Sequence, residues 1–219
     1  MPESPFAQQR YQVRHDWGVE GLRRLAPAEV VVVVDVLRFS TTVTDAVARG
    51  ETPPLDASAH AVSLNGAAVA AAAAETGAAV LLGCLRDARA VADAVLDVQR
   101  RRAERTSIAV IAAGELAGRQ SGAPLRFAVE DQLGAGAVID ALGAVGIDHT
   151  SPEAAAACEA FRGLRGAVRH LLTASASGQE LLGRPDHPHA ASRDEVLNAA
   201  AVDAASVVPV LREGRFVAY

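Results

Sequence analysis

The sequence predicts an α/β protein, with a largely parallel or mixed sheet held between two helical layers in a three-layer α/β/α arrangement. Three observations carry this reading. The run Val30-Val31-Val32-Val33-Val34 is β-branched and apolar without alternation, the pattern of a strand buried on both faces. Two further apolar runs, at 78–84 and 107–113, share that character. Segments of helical length follow each of the three, and strands alternating with helices imply βαβ units and a mostly parallel sheet.

Taken in order, residues 1–29 begin polar, with a short edge strand expected at Tyr11-Gln12-Val13, a turn at Asp16-Trp17-Gly18 and a helical turn over 20–25. Trp17 reads as a packing anchor. After the valine run, Ser40, Thr41 and Thr42 open a helix over 41–49, since hydroxyl side chains satisfy free N–H groups at helix starts. Residues 51–63, with Pro53-Pro54, read as a loop, ending in a short strand at 60–64. Asn65-Gly66 then starts an alanine-rich helix reaching about Thr76, with Gly77 as its stop. A second strand spans 78–84, a long helix 85–102 and a third strand 107–113. A glycine-containing loop at 118–126 precedes a helix over 129–142. Helices dominate from 152, at 152–164, 167–173, from Ser177 and at 193–204, interrupted by a proline-containing loop at 184–192. Arg212-Glu213-Gly214 between 206–211 and 215–218 fits a terminal β-hairpin.

The stretch 37–47 echoes 85–95: in both, a buried strand runs into Leu-Arg and then a helix carrying Asp-Ala-Val. The echo suggests two similarly built lobes, about 1–105 and 106–219, within a single domain spanning 1–219.

Half of the 219 residues are hydrophobic and 4% aromatic, so the core must be built from Ala, Val and Leu. All 21 basic residues are arginine, and the formal net charge is −5. That balance argues against nucleic-acid binding, which needs a basic footprint. Cys84 and Cys158 are too few for a disulfide framework and lie in no metal-type spacing; they read as small buried hydrophobes. No stretch has the length and hydropathy of a membrane span, and residues 1–11 lack the apolar core of a secretory signal, so a cytoplasmic protein is expected. Nothing fixes an oligomeric state, and a homo-oligomer stays open.

Chemistry-bearing residues gather where strands hand over to helices. Asp35 and Arg38 follow the valine run; in open α/β sheets, ligands sit at such strand ends, beside helix N-termini that suit anions. The same two residues could instead cap the helix and pair with each other, and the pattern leaves both readings open. Asn65-Gly66 is a turn able to present backbone N–H groups to an anion. Glu115 is a lone glutamate at a strand end, a position that is usually solvated. Glu130-Asp131 are paired acids at a helix start. They either complement the helix dipole or, with Asp35, supply the hard oxygen ligands Mg²⁺ prefers. His187-Pro188-His189 reads as a surface loop. The chain has no Gly-x-Ser-x-Gly elbow, Walker loop or Gly-x-Gly-x-x-Gly turn.

Several of these stretches, in their order, resemble the 2-phosphosulfolactate phosphatase (ComB) family. They are Val33 to Thr42, Asn65-Gly66 before an alanine-rich helix, Val80 to Ala88, Ala112-Ala113-Gly114, Glu130-Asp131 with Gly134-Ala135-Gly136-Ala137, Ser177 to Leu181, and Val208 to Leu211. The resemblance implies a Mg²⁺-dependent phosphatase converting 2-phosphosulfolactate, a small anionic phosphoester, to sulfolactate and phosphate, a step associated with coenzyme M biosynthesis. It also implies an α/β/α fold of two similar parts. Carried over, Asp35 becomes the candidate nucleophile or metal ligand and Arg38 a catalytic partner. Ser40, Thr41, Asn65 and Gly66 hold substrate, and Glu130 and Asp131 help hold the metal. The chain departs from the family at residues 51–64, where members carry a further strand-helix unit and a Gly-Glu-Arg signature. The alternative is therefore a catalytically impaired relative that binds a small anion or a partner.

Overall fold

A computed structural model describes residues 4–118, 123–183 and 190–219, with the side chains of residues 60–62 excepted. Its elements are β1 (Val13–Trp17), α1 (Gly18–Arg24), β2 (Val30–Val34), α2 (Phe39–Ala48), α3 (Ala57–Val62), α4 (Gly66–Ala74), β3 (Ala79–Gly83), α5 (Ala88–Arg102) and β4 (Ile108–Ala112). These are followed by β5 (Glu115–Leu116), β6 (Leu125–Arg126), α6 (Val129–Ala144), α7 (Pro152–Leu164), α8 (Val168–Ala174), α9 (Ala176–Leu182), α10 (Arg193–Ala199), β7 (Pro209–Arg212) and β8 (Arg215–Ala218). The expected α/β/α architecture is present. Six strands form one sheet in the order β1-β4-β2-β3-β7-β8; the first four are parallel, and the β7–β8 hairpin runs antiparallel at one end. The two halves of the chain share this sheet, because β4 lies between β1 and β2.

The valine run explains the layering. Successive side chains of a strand point to opposite faces. Val30, Val32 and Val34 enter a core with Val91 and Val95 of α5, Leu133 and Val138 of α6, Phe161 of α7 and Leu172 of α8. Val31 and Val33 enter a second core with Leu22 of α1, Val43 and Val47 of α2, Val69 and Ala70 of α4 and Phe216 of β8. A strand paired on both edges and covered on both faces has no polar side to show, hence the absence of alternation.

The structure corrects three local readings. Residues 13–17 are strand throughout, so the expected turn at Asp16-Trp17 is the end of β1. There Asp16 accepts from the Arg24 guanidinium at 2.8 Å, and the His15 ring bonds the Val110 carbonyl at 2.9 Å. The strand expected at 60–64 is instead the tail of helix α3 and the turn after it; Asp56 caps that helix, accepting from Ser58 N at 2.8 Å and Ala59 N at 3.3 Å. The loop at 118–126 contains β6, which pairs antiparallel with β5.

The short 51–64 segment does not leave the sheet open. The terminal hairpin pairs along β3, Leu55 N donates to Gly214 O at 2.8 Å, and Pro54 bridges Arg215. Cys84 and Cys158 are buried and unbridged. His187-Pro188-His189 lies outside the described residues. Among those described, no helix is long and apolar enough to cross a membrane.

Candidate functional site

The carboxyl ends of β2, β3 and β4 lie side by side, with Val34 in register with both Gly83 and Ala112. The N-termini of α2, α4, α5 and α6 follow or face this edge, so their positive ends collect around it. Gly134 brings α6 close: a Cβ there would stand 2.5 Å from Val36 Cγ2 and 2.9 Å from Val34 Cγ1. One turn earlier on the same helix, Glu130 and Asp131 are therefore delivered to the tip of β2, and both are buried.

Asp35 sits at that tip, buried. Its Oδ1 accepts from Phe39 N at 3.1 Å, and its Oδ2 from Ser63 Oγ at 2.9 Å and Gly66 N at 3.1 Å. The Gly66 N–H also reaches Ser63 Oγ at 3.0 Å, and a Cβ on Gly66 would collide with Asp35 Oδ2 and Phe39. Only glycine allows that approach. Burial pushes the Asp35 carboxyl above its ordinary pKa; the three hydrogen bonds pull against this, and the charge of Glu130 adds to it.

Asp131 is a clamp. Its Oδ1 accepts from Val36 N at 2.8 Å and its Oδ2 from Gly114 N at 2.9 Å, tying the ends of β2 and β4 together. Gly114 has φ +69°, a left-handed conformation that turns the chain out of β4 into β5. Burial, then the charges of Asp35 and Glu130, push the Asp131 carboxyl well above its ordinary value.

Glu130 differs from both. It is 2% exposed, yet among the described residues its carboxylate accepts no hydrogen bond and makes no ion pair. Its oxygens are not among the buried polar atoms left without a partner, which among the described residues are His15 Nε2, Asn65 Oδ1 and Arg86 Nε, so they keep access to water or to a cation.

The remaining expected residues divide. Ser40 is fully buried; its hydroxyl donates to Val33 O at 3.1 Å and accepts from Asp35 N at 3.0 Å. Thr41 Oγ1 donates to Val36 O at 2.9 Å. Both hydroxyls, read from the sequence as phosphate holders, are instead spent fixing the strand-to-helix turn that carries Asp35. Arg38 is half-buried at the start of α2; its guanidinium makes no ion pair or side-chain hydrogen bond among the described residues, though its charge acts on Glu195 of α10. The Leu37–Arg38 peptide is cis. The Asn65 Oδ1 is buried without a donor.

Two residues of the site escaped the sequence reading. Ser63 holds Asp35, and its only signal was a hydroxyl three residues before Gly66, the spacing of a helix-start cap. Glu115 was read as a solvated glutamate. It is half-buried, and burial raises its carboxyl, the charges of Asp35 and Glu180 adding to the rise against the pull of Asn65 and Arg126.

Among the described residues, no three His, Cys, Asp or Glu side chains are arranged to hold a metal ion. Mg²⁺ asks for less: it usually takes one or two carboxylates and fills its other positions with water and phosphate oxygens. Glu130 fits that donor set with oxygens that accept no hydrogen bond, and Asp35 and Asp131, whose oxygens already accept from protein donors, each keep a free lone pair.

Behind this edge, Asp87 is fully buried, accepting from Cys84 N at 2.7 Å and Thr44 Oγ1 at 2.9 Å, and burial raises its pKa to about 6. The folded protein therefore binds this proton more tightly than the unfolded chain. The stability cost is absent below the ordinary value of 3.8 and complete above about 6, so stability falls as pH rises through that window. At about 1.4 kcal/mol per unit, Asp87 alone accounts for about 3 kcal/mol. Without added divalent cation, melting at pH 5 is expected to exceed melting at pH 7.5, and Asp87→Asn should flatten that difference; calorimetric scans at the two pH values check both.

The family model of 2-phosphosulpholactate phosphatase matches residues 56–214, about three-quarters of the chain. No curated protein matches it. The matched stretch includes Ser63, Asn65-Gly66, Glu115 and Glu130-Asp131, whereas Asp35 and Arg38 precede it. It is the geometry that joins them to the rest, through the bonds from Ser63 and Gly66 to Asp35. The chain belongs to the 2-phosphosulpholactate phosphatase family.

Proposed function

We propose that this chain hydrolyses the phosphate monoester of a small acidic 2-hydroxy acid, 2-phosphosulfolactate, in a Mg²⁺-dependent reaction at the tip of β2. The observation that carries the reading is the buried, donorless Glu130 beside Asp35, among helix N-termini, in a chain of this family. Asp35 and Glu130 would hold Mg²⁺. Bound there, the ion would neutralise the phosphoryl oxygens of the substrate. Arg38 and the N-terminus of α2 face the same edge and would take up the substrate's negative charge, because a guanidinium matches phosphate, sulfonate and carboxylate oxygens in pairs. Asp35 Oδ1 carries a single hydrogen bond and keeps one lone pair, which would meet the cation, while the bonds from Phe39, Ser63 and Gly66 fix its direction.

The shortened 51–64 segment supports an active protein over an impaired binder, since it runs along the terminal hairpin and delivers Ser63 to Asp35. In this reading the product, sulfolactate, would pass toward coenzyme M synthesis in the cytoplasm. The test is phosphate release from 2-phosphosulfolactate, with and without Mg²⁺, against a panel of other 2-hydroxy-acid phosphates. Release that needs Mg²⁺ and favours 2-phosphosulfolactate is expected. Anion binding without release from any ester would favour the impaired relative.

A further inference from the structure

We propose that the cleft beside His15, at the outer edge of the sheet, binds a small organic cation: a flat apolar body carrying N–H donors, of the amidinium or guanidinium kind. The site stands apart from the centre described above, since none of Asp35, Arg38, Glu130 and Asp131 lines it.

His15 lies in β1, the outermost strand, and its polar groups can be accounted for one by one. On the free edge, where another strand would pair, the side chain of Gln8 takes both backbone groups. Gln8 Nε2 donates to His15 O at 2.9 Å, and His15 N donates to Gln8 Oε1 at 3.1 Å. The ring Nδ1 lies 2.9 Å from Val110 O. A carbonyl only accepts, so Nδ1 carries the proton, and Nε2 of the neutral ring carries a lone pair. That Nε2 is buried and meets no partner among the described residues, on a residue only 3% exposed. Gln132 of α6 faces the ring without completing a bond to Nε2. A buried acceptor left unmet is a standing cost that a donor from a ligand would relieve.

The cleft walled by this ring supplies the rest. It measures about 470 Å³, room for a small molecule. Trp17, half-buried, gives it an aromatic wall, with its ring 5.9 Å from that of His15 and 5.2 Å from that of Phe127. The exposed Phe6 adds a second apolar surface.

Charge selects the sign of the ligand. Asp16 is already paired with Arg24, at 2.8 and 3.0 Å. Glu153, in the first turn of α7, forms no ion pair or side-chain hydrogen bond among the described residues, and its charge acts on the His15 ring. Burial holds that ring below its ordinary pKa, which keeps the lone pair free at neutral pH. The cleft thus offers one uncompensated negative charge, one lone pair and an aromatic face. A planar cation answers all three, its N–H groups donating to Nε2 and to the Glu153 carboxylate while its charge meets the indole. An anion would be repelled by the carboxylate and the lone pair alike.

Trp17 is the only tryptophan of the chain, so its fluorescence reports on the cleft directly. Titrating the full-length protein with benzamidine, without Mg²⁺, should change this emission as single-site binding, with the stoichiometry checked by calorimetry. Benzoate, the same ring with the opposite charge, should bind at least about tenfold more weakly. His15→Asn keeps a donor for Val110 O but has no Nε2, and Glu153→Gln keeps the size and loses the charge. Each should weaken benzamidine binding about tenfold or more, with thermal melting showing that the fold is kept. If His15→Asn is unfolded at the assay temperature, Glu153→Gln decides alone. Benzamidine binding that the folded variants leave unchanged would overturn the site. So would benzoate binding as tightly as benzamidine, or a wild type that binds no benzamidine at millimolar concentration.

Discussion

Asp35→Asn is expected to lower phosphate release from 2-phosphosulfolactate on the order of 10³-fold or more while leaving the protein folded. The two halves of that expectation have separate causes. The amide has no anionic oxygen to meet a cation, so activity is lost outright. Stability is held by opposing effects. The amide oxygen keeps the donors on one side only, while removal of a carboxyl whose pKa burial has raised relieves a cost at neutral pH. Steady-state assays with a parallel thermal scan check both. Activity within tenfold of wild type would remove Asp35 from the chemistry.

Asp131→Ala should act on the fold first. Truncation strands two buried N–H groups, those of Val36 and Gly114, each costing about 1–3 kcal/mol when left unsatisfied. Some cost is recovered because a buried carboxyl pushed well above its ordinary pKa is removed. The net expectation is a loss of about 2–4 kcal/mol, or roughly 5–15 °C in melting temperature for a chain of this size. Asp131→Asn keeps one acceptor and should lose less. A thermal melt distinguishes this from a surface acid at a helix start, whose removal would shift stability by no more than about 1 kcal/mol.

Much of the architecture was legible because its signals are local. Five valines without alternation require a strand covered on both faces, and the cores around Val32 and Val33 are those two covers. The terminal hairpin was legible from Arg212-Glu213-Gly214. Helix α3 was not: it spans six residues, and its one marker, the Asp56 cap, sits in a loop-like proline-containing stretch. The end of β1 was missed because His15 and Asp16 are polar, and their partners, Val110 and Arg24, come from elsewhere in the fold. The insertion of β4 between β1 and β2 is a matter of strand order, which periodicity does not encode.

The site divides in the same way. Asp35, Glu130 and Asp131 stood out as acids at strand and helix ends, but their separate duties come from contacts distant in sequence: Val36 with Asp131, Gly66 with Asp35. Ser63 and Glu115 are single residues with no pattern around them, and only the fold turns Ser63 toward Asp35.

The central claim is that Glu130, whose carboxylate accepts no hydrogen bond among the described residues, meets a divalent cation beside Asp35. Equilibrium melting with added Mg²⁺ tests this without reference to turnover. At pH 7.5 and Mg²⁺ about 100-fold above its dissociation constant, wild type should gain about 2.7 kcal/mol, roughly 5–10 °C, and Glu130→Gln should gain almost none. Equal shifts in the two proteins, or no shift in wild type, would contradict it.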